Sequence, residues 1–199
     1  MDYSIAHSLN HFAVQHDGFE DPLKAYVGAA EILFLAIVVA LFLIVPGRER
    51  RKAQRAAVSA AAATGIALLI AHFISTAVDR VRPFVAHPHS IHPFLAHAAD
   101  PSFPSDHATA AFAIAVAVVL RQRAWGAVLL VLAAVLAVGR VFLGLHYPSD
   151  VVSGAAIGTV VALLLWAIPP VRELLDRIAD ICAGILGAVI DRVLPARAA

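Results

Sequence analysis

The 199-residue sequence contains a single cysteine, Cys182, which rules out an internal disulfide framework and a multi-cysteine metal site. Cys182 lies in an apolar helical stretch, where a thiol behaves as a small hydrophobe. Charge is scarce as well. Only 15% of residues are Asp, Glu, Lys or Arg, and the formal net charge is +1, so no bulk field points toward a nucleic-acid partner. The N-terminus lacks the pattern of a secretory signal, because Asp2 stands where basic residues belong and no apolar core follows at once. What the chain does have is apolar residue: 61% of it is hydrophobic, far above a soluble globular domain. These residues come in blocks close to the roughly 20 that a bilayer-spanning helix needs.

Five blocks qualify as spans, which predicts an all-α integral membrane helical bundle in one domain over residues 1–199. The first runs from Ala25 to Val45 and stops at Pro46-Gly47; the second covers Ala56 to Val78. The fourth covers Ala124 to Leu143, and the fifth covers Val151 to Ile168, closed by Pro169-Pro170. The third, Ser105 to Leu120, is short, with a length of about 24 Å at 1.5 Å per residue. Its start is therefore expected below the lipid surface. The spanning core is thus 25–168, flanked by two amphipathic segments. In 1–24, Ile5, Leu9 and Phe12 repeat at helical spacing, as in an interfacial helix. In 169–199, Leu174, Ile178, Ile181, Ile185 and Val189 form an apolar stripe among charged positions. We expect a surface or packing helix there; a sixth span is the rival, but a 20-residue window must include Asp180 or Asp191.

Basic residues set the expected orientation. Arg48, Arg50, Arg51, Lys52, Arg55, Arg121, Arg123, Arg172, Arg177, Arg192 and Arg197 fall on one side, and Lys24, Arg80, Arg82 and Arg140 on the other. The positive-inside rule places the larger set in the cytoplasm, with Trp125 and Trp166 near that interface. The N-terminus and the loops 79–107 and 140–150 then face outward.

Those two loops hold most of the remaining polar chemistry. The first contains Asp79-Arg80-Val81-Arg82-Pro83 and ends in Pro104-Ser105-Asp106-His107; the second reads Arg140, five residues, His146, then Tyr147-Pro148-Ser149-Asp150. Singly, each has an ordinary explanation: arginines snorkel, Ser105 caps a helix, and Asp150 complements a helix dipole. Together they compose a phosphate site. Arginine forks match phosphate oxygens, a helix start aims free N–H groups at an anion, and two histidines can divide the roles of nucleophile and acid.

Arg82-Pro83, Pro104-Ser105-Asp106-His107 and Arg140-x5-His146-x3-Asp150 resemble the three signatures of the type-2 phosphatidic acid phosphatase superfamily. Within it, the chain looks most like bacterial undecaprenyl pyrophosphate phosphatases of the bacitracin-resistance type. The resemblance implies that His146 attacks phosphorus to form a phosphohistidine, that Asp150 orients its ring, and that His107 protonates the leaving lipid phosphate. It also implies that Arg82, Arg140 and Ser105 hold the phosphoryl oxygens, with no metal and no cofactor. One position departs from the pattern: the lysine expected seven residues before Arg82 is Ser75. Ser75, Asp79 and Arg82 would share a helix face, which keeps Ser75 as a pocket candidate, and Arg80 is the candidate source of the missing charge. Asp106 beside an anion is a second oddity; its backbone N–H is the group expected to bind.

His87, His89, His92 and His97 crowd the first loop, but their spacing fits no standard zinc site. His72, inside the second span, reads as a helix-packing residue. The resemblance implies a polyprenyl pyrophosphate (undecaprenyl or decaprenyl) as substrate, hydrolysed at the outer face of a bacterial cell membrane to recycle a cell-wall carrier lipid. Partners are then the lipid substrate and membrane lipids, and a homo-oligomer is compatible with the sequence. Rivals are a glycerolipid phosphate phosphatase, a lipid phosphotransferase, a small transporter and a haem-binding protein. The transporter reading requires polar groups deep in several spans, and the first and fifth blocks read as essentially free of them.

Overall fold

Proline, glycine and clustered charge punctuate the apolar blocks, and each block becomes a helix. The computed structural model describes residues 1–193 except Asp17 and Phe19, and among these the chain forms eight α-helices. They are α1 (Asp2–Gln15), α2 (Glu20–Leu43), α3 (Arg50–Val78), α4 (Pro83–Ala86), α5 (Asp106–Val119), α6 (Arg123–Phe142), α7 (Pro148–Ala167) and α8 (Pro169–Val193). Pro83 and Pro148 stand at the first turns of α4 and α7, where the missing N–H costs nothing.

Four stretches are long and apolar enough to cross a membrane: Glu20–Leu43, Gly47–Ala86, Arg123–Phe142 and Pro148–Ala167. The third expected span, α5, has only 14 residues and stands inside the bundle, packed mainly on α3, α6 and α7. Ala108, Thr109, Ala113, Ala115 and Val118 on it are buried. Enclosed by protein, α5 need not match the bilayer's thickness, so its polar start can lie below the surface.

Small residues set the closest helix contact. A Cβ at Gly154 would come within 2.5 Å of the Ser105 carbonyl oxygen, and one at Gly158 within 2.3 Å of that of Thr109. Only glycine lets α7 approach the α5 backbone this closely. The approach seats the first turn of α7 against the start of α5, where Ser105 N–H donates to the Asp150 carbonyl at 3.0 Å.

The flanking helices follow their polarity. α1 lies against α6 and α7 through Ala6, Asn10 and Ala13. Asn10 closes two hydrogen bonds with the backbone of His92, at 2.8 and 2.7 Å, and donates to the Phe142 carbonyl at 3.1 Å. α3 begins earlier than the expected Ala56 because its basic first turns are paired with α8. Arg55 meets Asp180 at 2.8 Å and Asp176 at 3.4 Å, and Arg121 meets Asp176 at 2.6 Å. α8 thus docks by its charged face, and its apolar stripe (Leu174, Ile181, Ile185, Val189) stays more than half exposed. That is the arrangement of a helix lying in the membrane interface, and α8 is not among the stretches able to cross.

Candidate active site

Three segments meet at one end of the bundle: the connection from α3 to α5, the start of α5, and the turn joining α6 to α7. α3 stops at Val78 because Asp79 adopts a left-handed conformation, φ 46°, that ends the helix. The turn corrects one expectation. The helix face of Ser75 does not continue to Arg82, and among the described residues Ser75 makes no side-chain hydrogen bond to the cluster.

His146 is almost fully buried, and its two nitrogens have different surroundings. Nδ1 faces only acceptors: the Ser102 carbonyl oxygen at 2.9 Å and a carboxylate oxygen of Asp150 at 3.6 Å. Nε2 faces only donors: Arg82 Nη1 and Arg140 Nη2, each at 3.1 Å. The proton therefore belongs on Nδ1, and Nε2 presents an unprotonated lone pair that accepts from two guanidiniums. Burial pushes the imidazole down to about 4; Asp150 opposes this and the two arginines add to it. At neutral pH the ring is uncharged, as a nucleophile requires.

Asp150 is fully buried and does not bond the ring directly, since 3.6 Å is beyond a hydrogen bond. It acts through Ser102, whose hydroxyl donates to Asp150 while its carbonyl accepts from His146. The Tyr147 N–H at 2.8 Å and Arg80 Nη1 at 2.8 Å complete the carboxylate's shell. This corrects the expectation for Arg80. Its guanidinium is spent on Asp150, Ser149 and Asp2 rather than directed at the phosphate position, and it stacks on the Tyr147 ring at 4.0 Å. Asp2 also accepts from the Ser149 N–H at 3.0 Å, so α1 is fastened to the back of the site. Burial works to raise the Asp2 carboxyl, but hydrogen bonds from Ser149 and Arg80 override it and hold the group below its usual value.

The two site arginines are used differently. Arg82 is held mainly by its own loop: besides His146, it donates to the Asp100 carbonyl at 3.0 Å and carboxylate at 3.1 Å, and to the carbonyls of Leu145 at 3.1 Å and Pro101 at 3.3 Å. Burial works to raise the Asp100 carboxyl, and Arg82 outweighs it, so the group stays ionised. Arg140, by contrast, has a buried Nε with no partner among the described residues. A buried unpaired donor is costly, and an anion at this position would satisfy it. Arg140 Nη2 also meets His97 Nε2 at 3.0 Å, while His97 Nδ1 lies 3.1 Å from the Ala98 carbonyl. Burial keeps His97 below its ordinary value, so it is a neutral acceptor in the wall of the site. The other loop histidines disperse; His87 packs on Tyr3 and His92 on Phe94.

Ser105 caps α5, its buried hydroxyl accepting from Ala108 N–H at a long 3.5 Å. The backbone N–H groups of Asp106 and His107 have no partner among the described residues, which leaves the helix start open to an anion. The side chains of Asp106 and His107 line a cavity of about 660 Å³ between α2, α3, α5 and α6, walled by Phe34, Leu68, Ile114 and Leu136.

Comparison with known proteins agrees with this geometry. The PAP2 superfamily pattern matches residues 56–173, which hold His146, Asp150, Arg140 and the start of α5. Undecaprenyl-diphosphatase BcrC of Bacillus subtilis is 31% identical over 197 residues, 97% of this chain and 95% of that protein. The chain belongs to the PAP2 superfamily. A putative undecaprenyl-diphosphatase of Escherichia coli, YbjG, is 42% identical over 109 residues, covering 51% of this chain and 54% of its own. Among solved structures, Aquifex aeolicus LpxE shares the fold with a TM-score of 0.63 at 19% identity, over 84% of this chain and 95% of that one. This PAP2 protein is accordingly a multi-pass membrane phosphatase.

Among the residues around this PAP2 site that the sequence did not single out are Asp2, Asp100, Ser102 and Glu31. Ser102 offered no signal beyond its place three residues before Ser105. Glu31 offered a clear one: it is an ionisable residue inside the first span, which corrects the reading of that span as free of polar groups. A strongly apolar span hides a single carboxylate, and the structure sets Glu31 4.0 Å from His107.

Proposed function

We propose that the protein hydrolyses a polyprenyl pyrophosphate to the monophosphate, through a phosphohistidine, at the outer leaflet. The observation that carries this reading is the lone pair of His146 Nε2, held neutral between Arg82 and Arg140. Nε2 attacks the terminal phosphorus, and the bond to the bridging oxygen breaks as His107 gives that oxygen a proton. Water then attacks the phosphohistidine and returns a proton to His107, releasing phosphate and a neutral His146. The guanidiniums, the unpaired Arg140 Nε and the α5 start supply the positive field that phosphoryl transfer needs. The apolar cavity beginning at His107 suits the lipid part of the substrate.

Phosphate release from the purified protein tests the reading on prenyl pyrophosphates, phosphatidic acid and phosphatidylglycerol phosphate, with and without EDTA. The pyrophosphate is expected to lead in kcat/KM by about tenfold or more, with chelation leaving the rate unchanged. Preference for a monoester would favour the glycerolipid phosphatase. Loss on chelation, restored by zinc, would assign a metal to the histidine-rich loop.

Orientation has its own test. In a Cys182→Ala background, an impermeant thiol reagent on intact cells is expected to label Ala98→Cys and not Arg51→Cys. Ala98 lies in the loop that carries His97, and Arg51 lies at the opposite end, beside Asp180. The reverse pattern would put the site in the cytoplasm and remove the support for carrier recycling.

A further inference from the structure

Glu31 lies eleven residues into α2, about 16 Å along the helix from its start. Its neighbour Ile32 is exposed and apolar, as befits a lipid-facing helix, while Glu31 lines the same cavity as Asp106 and His107. The meeting follows from the shortness of α5, whose recessed start comes level with the middle of α2. Oε2 of Glu31 stands 4.0 Å from His107 Nε2, its side chain 83% exposed. Such contacts commonly tighten once substrate excludes water.

His107 otherwise stands in a hostile field for a proton donor. Burial first, and then Arg140 and Arg82, with His146 and His97 when charged, all oppose a positive charge there. Asp106 is its immediate neighbour on α5, and residues one apart on a helix do not face each other. Glu31 is the carboxylate that reaches the ring.

Resting on the phosphoryl-transfer reading above, we propose that Glu31 is the positioning residue of the acid arm. Its carboxylate accepts from His107 Nε2–H and holds the imidazolium, so that Nδ1–H faces the leaving oxygen. In the first step the Nδ1 proton passes to that oxygen as the P–O electron pair moves onto it; His107 stays neutral, with Nε2–H on Glu31. In the second step the attacking water returns a proton to Nδ1. Glu31 thus stands behind His107 as Ser102 and Asp150 stand behind His146.

Wild type, Glu31→Gln, Glu31→Asp and His107→Ala are compared on the lipid phosphate that wild type turns over best and on dinitrophenyl phosphate, whose phenolate departs without a proton. Glu31→Gln is expected to lose about 10- to 100-fold in kcat on the lipid with KM little changed, and less than about threefold on the aryl ester. His107→Ala should show the same contrast, larger on the lipid, and Glu31→Asp should recover part of the loss. Equal losses on both substrates, a loss confined to KM, or wild-type turnover in Glu31→Gln would each overturn the proposal. If Glu31→Gln fails to insert, Glu31→Asp decides: selective loss on the lipid supports the assignment, and uniform loss or none rejects it. The outcome is separable from the pyrophosphate reading, because that reading fails on wild type alone if a monoester proves the best substrate.

Discussion

His146→Ala is expected to lower turnover of every phosphate substrate by about 10⁴-fold or more while the protein still inserts and folds. Within the described site, His146 Nε2 is the nitrogen held with its lone pair forward between two arginines, and no second group is placed to take its part. Arg82 and Arg140 remain in the variant, so substrate binding should change far less than kcat. The covalent step adds a direct readout. Quenching wild type during turnover with alkaline detergent should trap a phosphoprotein that survives base and is lost in acid, and the variant should give none. Residual turnover within about tenfold of wild type, or a phosphoprotein in the variant, would remove His146 from the nucleophile's role.

Asp150→Asn is the second large effect, expected at about 10²- to 10⁴-fold in kcat. The side chain receives donors from Ser102, Tyr147 and Arg80, and an amide group set among three donors must turn its own NH₂ toward one of them. Loss of the negative charge also leaves Arg80 with Asp2 as its sole carboxylate partner. A lowered melting temperature should therefore accompany the loss of rate, since breaking a buried ion pair costs about 3–5 kcal/mol. Ser102→Ala separates the two functions. It removes the hydroxyl on Asp150 but keeps the backbone carbonyl that fixes the His146 tautomer, so a loss near tenfold is expected. If Asp150→Asn matched wild type in rate, the carboxylate would be only a cap for the start of α7.

The comparison of Arg82 with Arg140 shows how far motif reading extends. Both were expected as phosphate forks from residue type and position at the ends of helices. In the fold, most of Arg82's donors turn to the loop that it organises, and Arg140 retains the unpaired buried donor. Arg80 was expected to replace a missing lysine and instead bonds a residue 78 positions away. Spacing indicates which groups can come together, whereas the direction of a guanidinium depends on which acceptors the folded chain brings near.

The sequence alone indicated a membrane bundle and the approximate places of its spanning helices, and it brought forward His146, His107, Arg140 and Asp150 as candidates for one phosphate site. The first two rest on local physics, apolar run length and helix punctuation; the third rests on three separated motifs that resemble the signatures of one family. The tertiary structure decided the rest. Ser102 became the link between Asp150 and His146 because glycines on α7 admit the start of α5 so closely. Asp2 reached Ser149, 147 residues along the chain, because Asn10 seats α1 against the loop and α6. Glu31 met His107 because α5 is short and enclosed, which brings its polar start down to the middle of α2. Each of these contacts depends on how helices distant in sequence pack and how deep they sit, and no local pattern of residues encodes either.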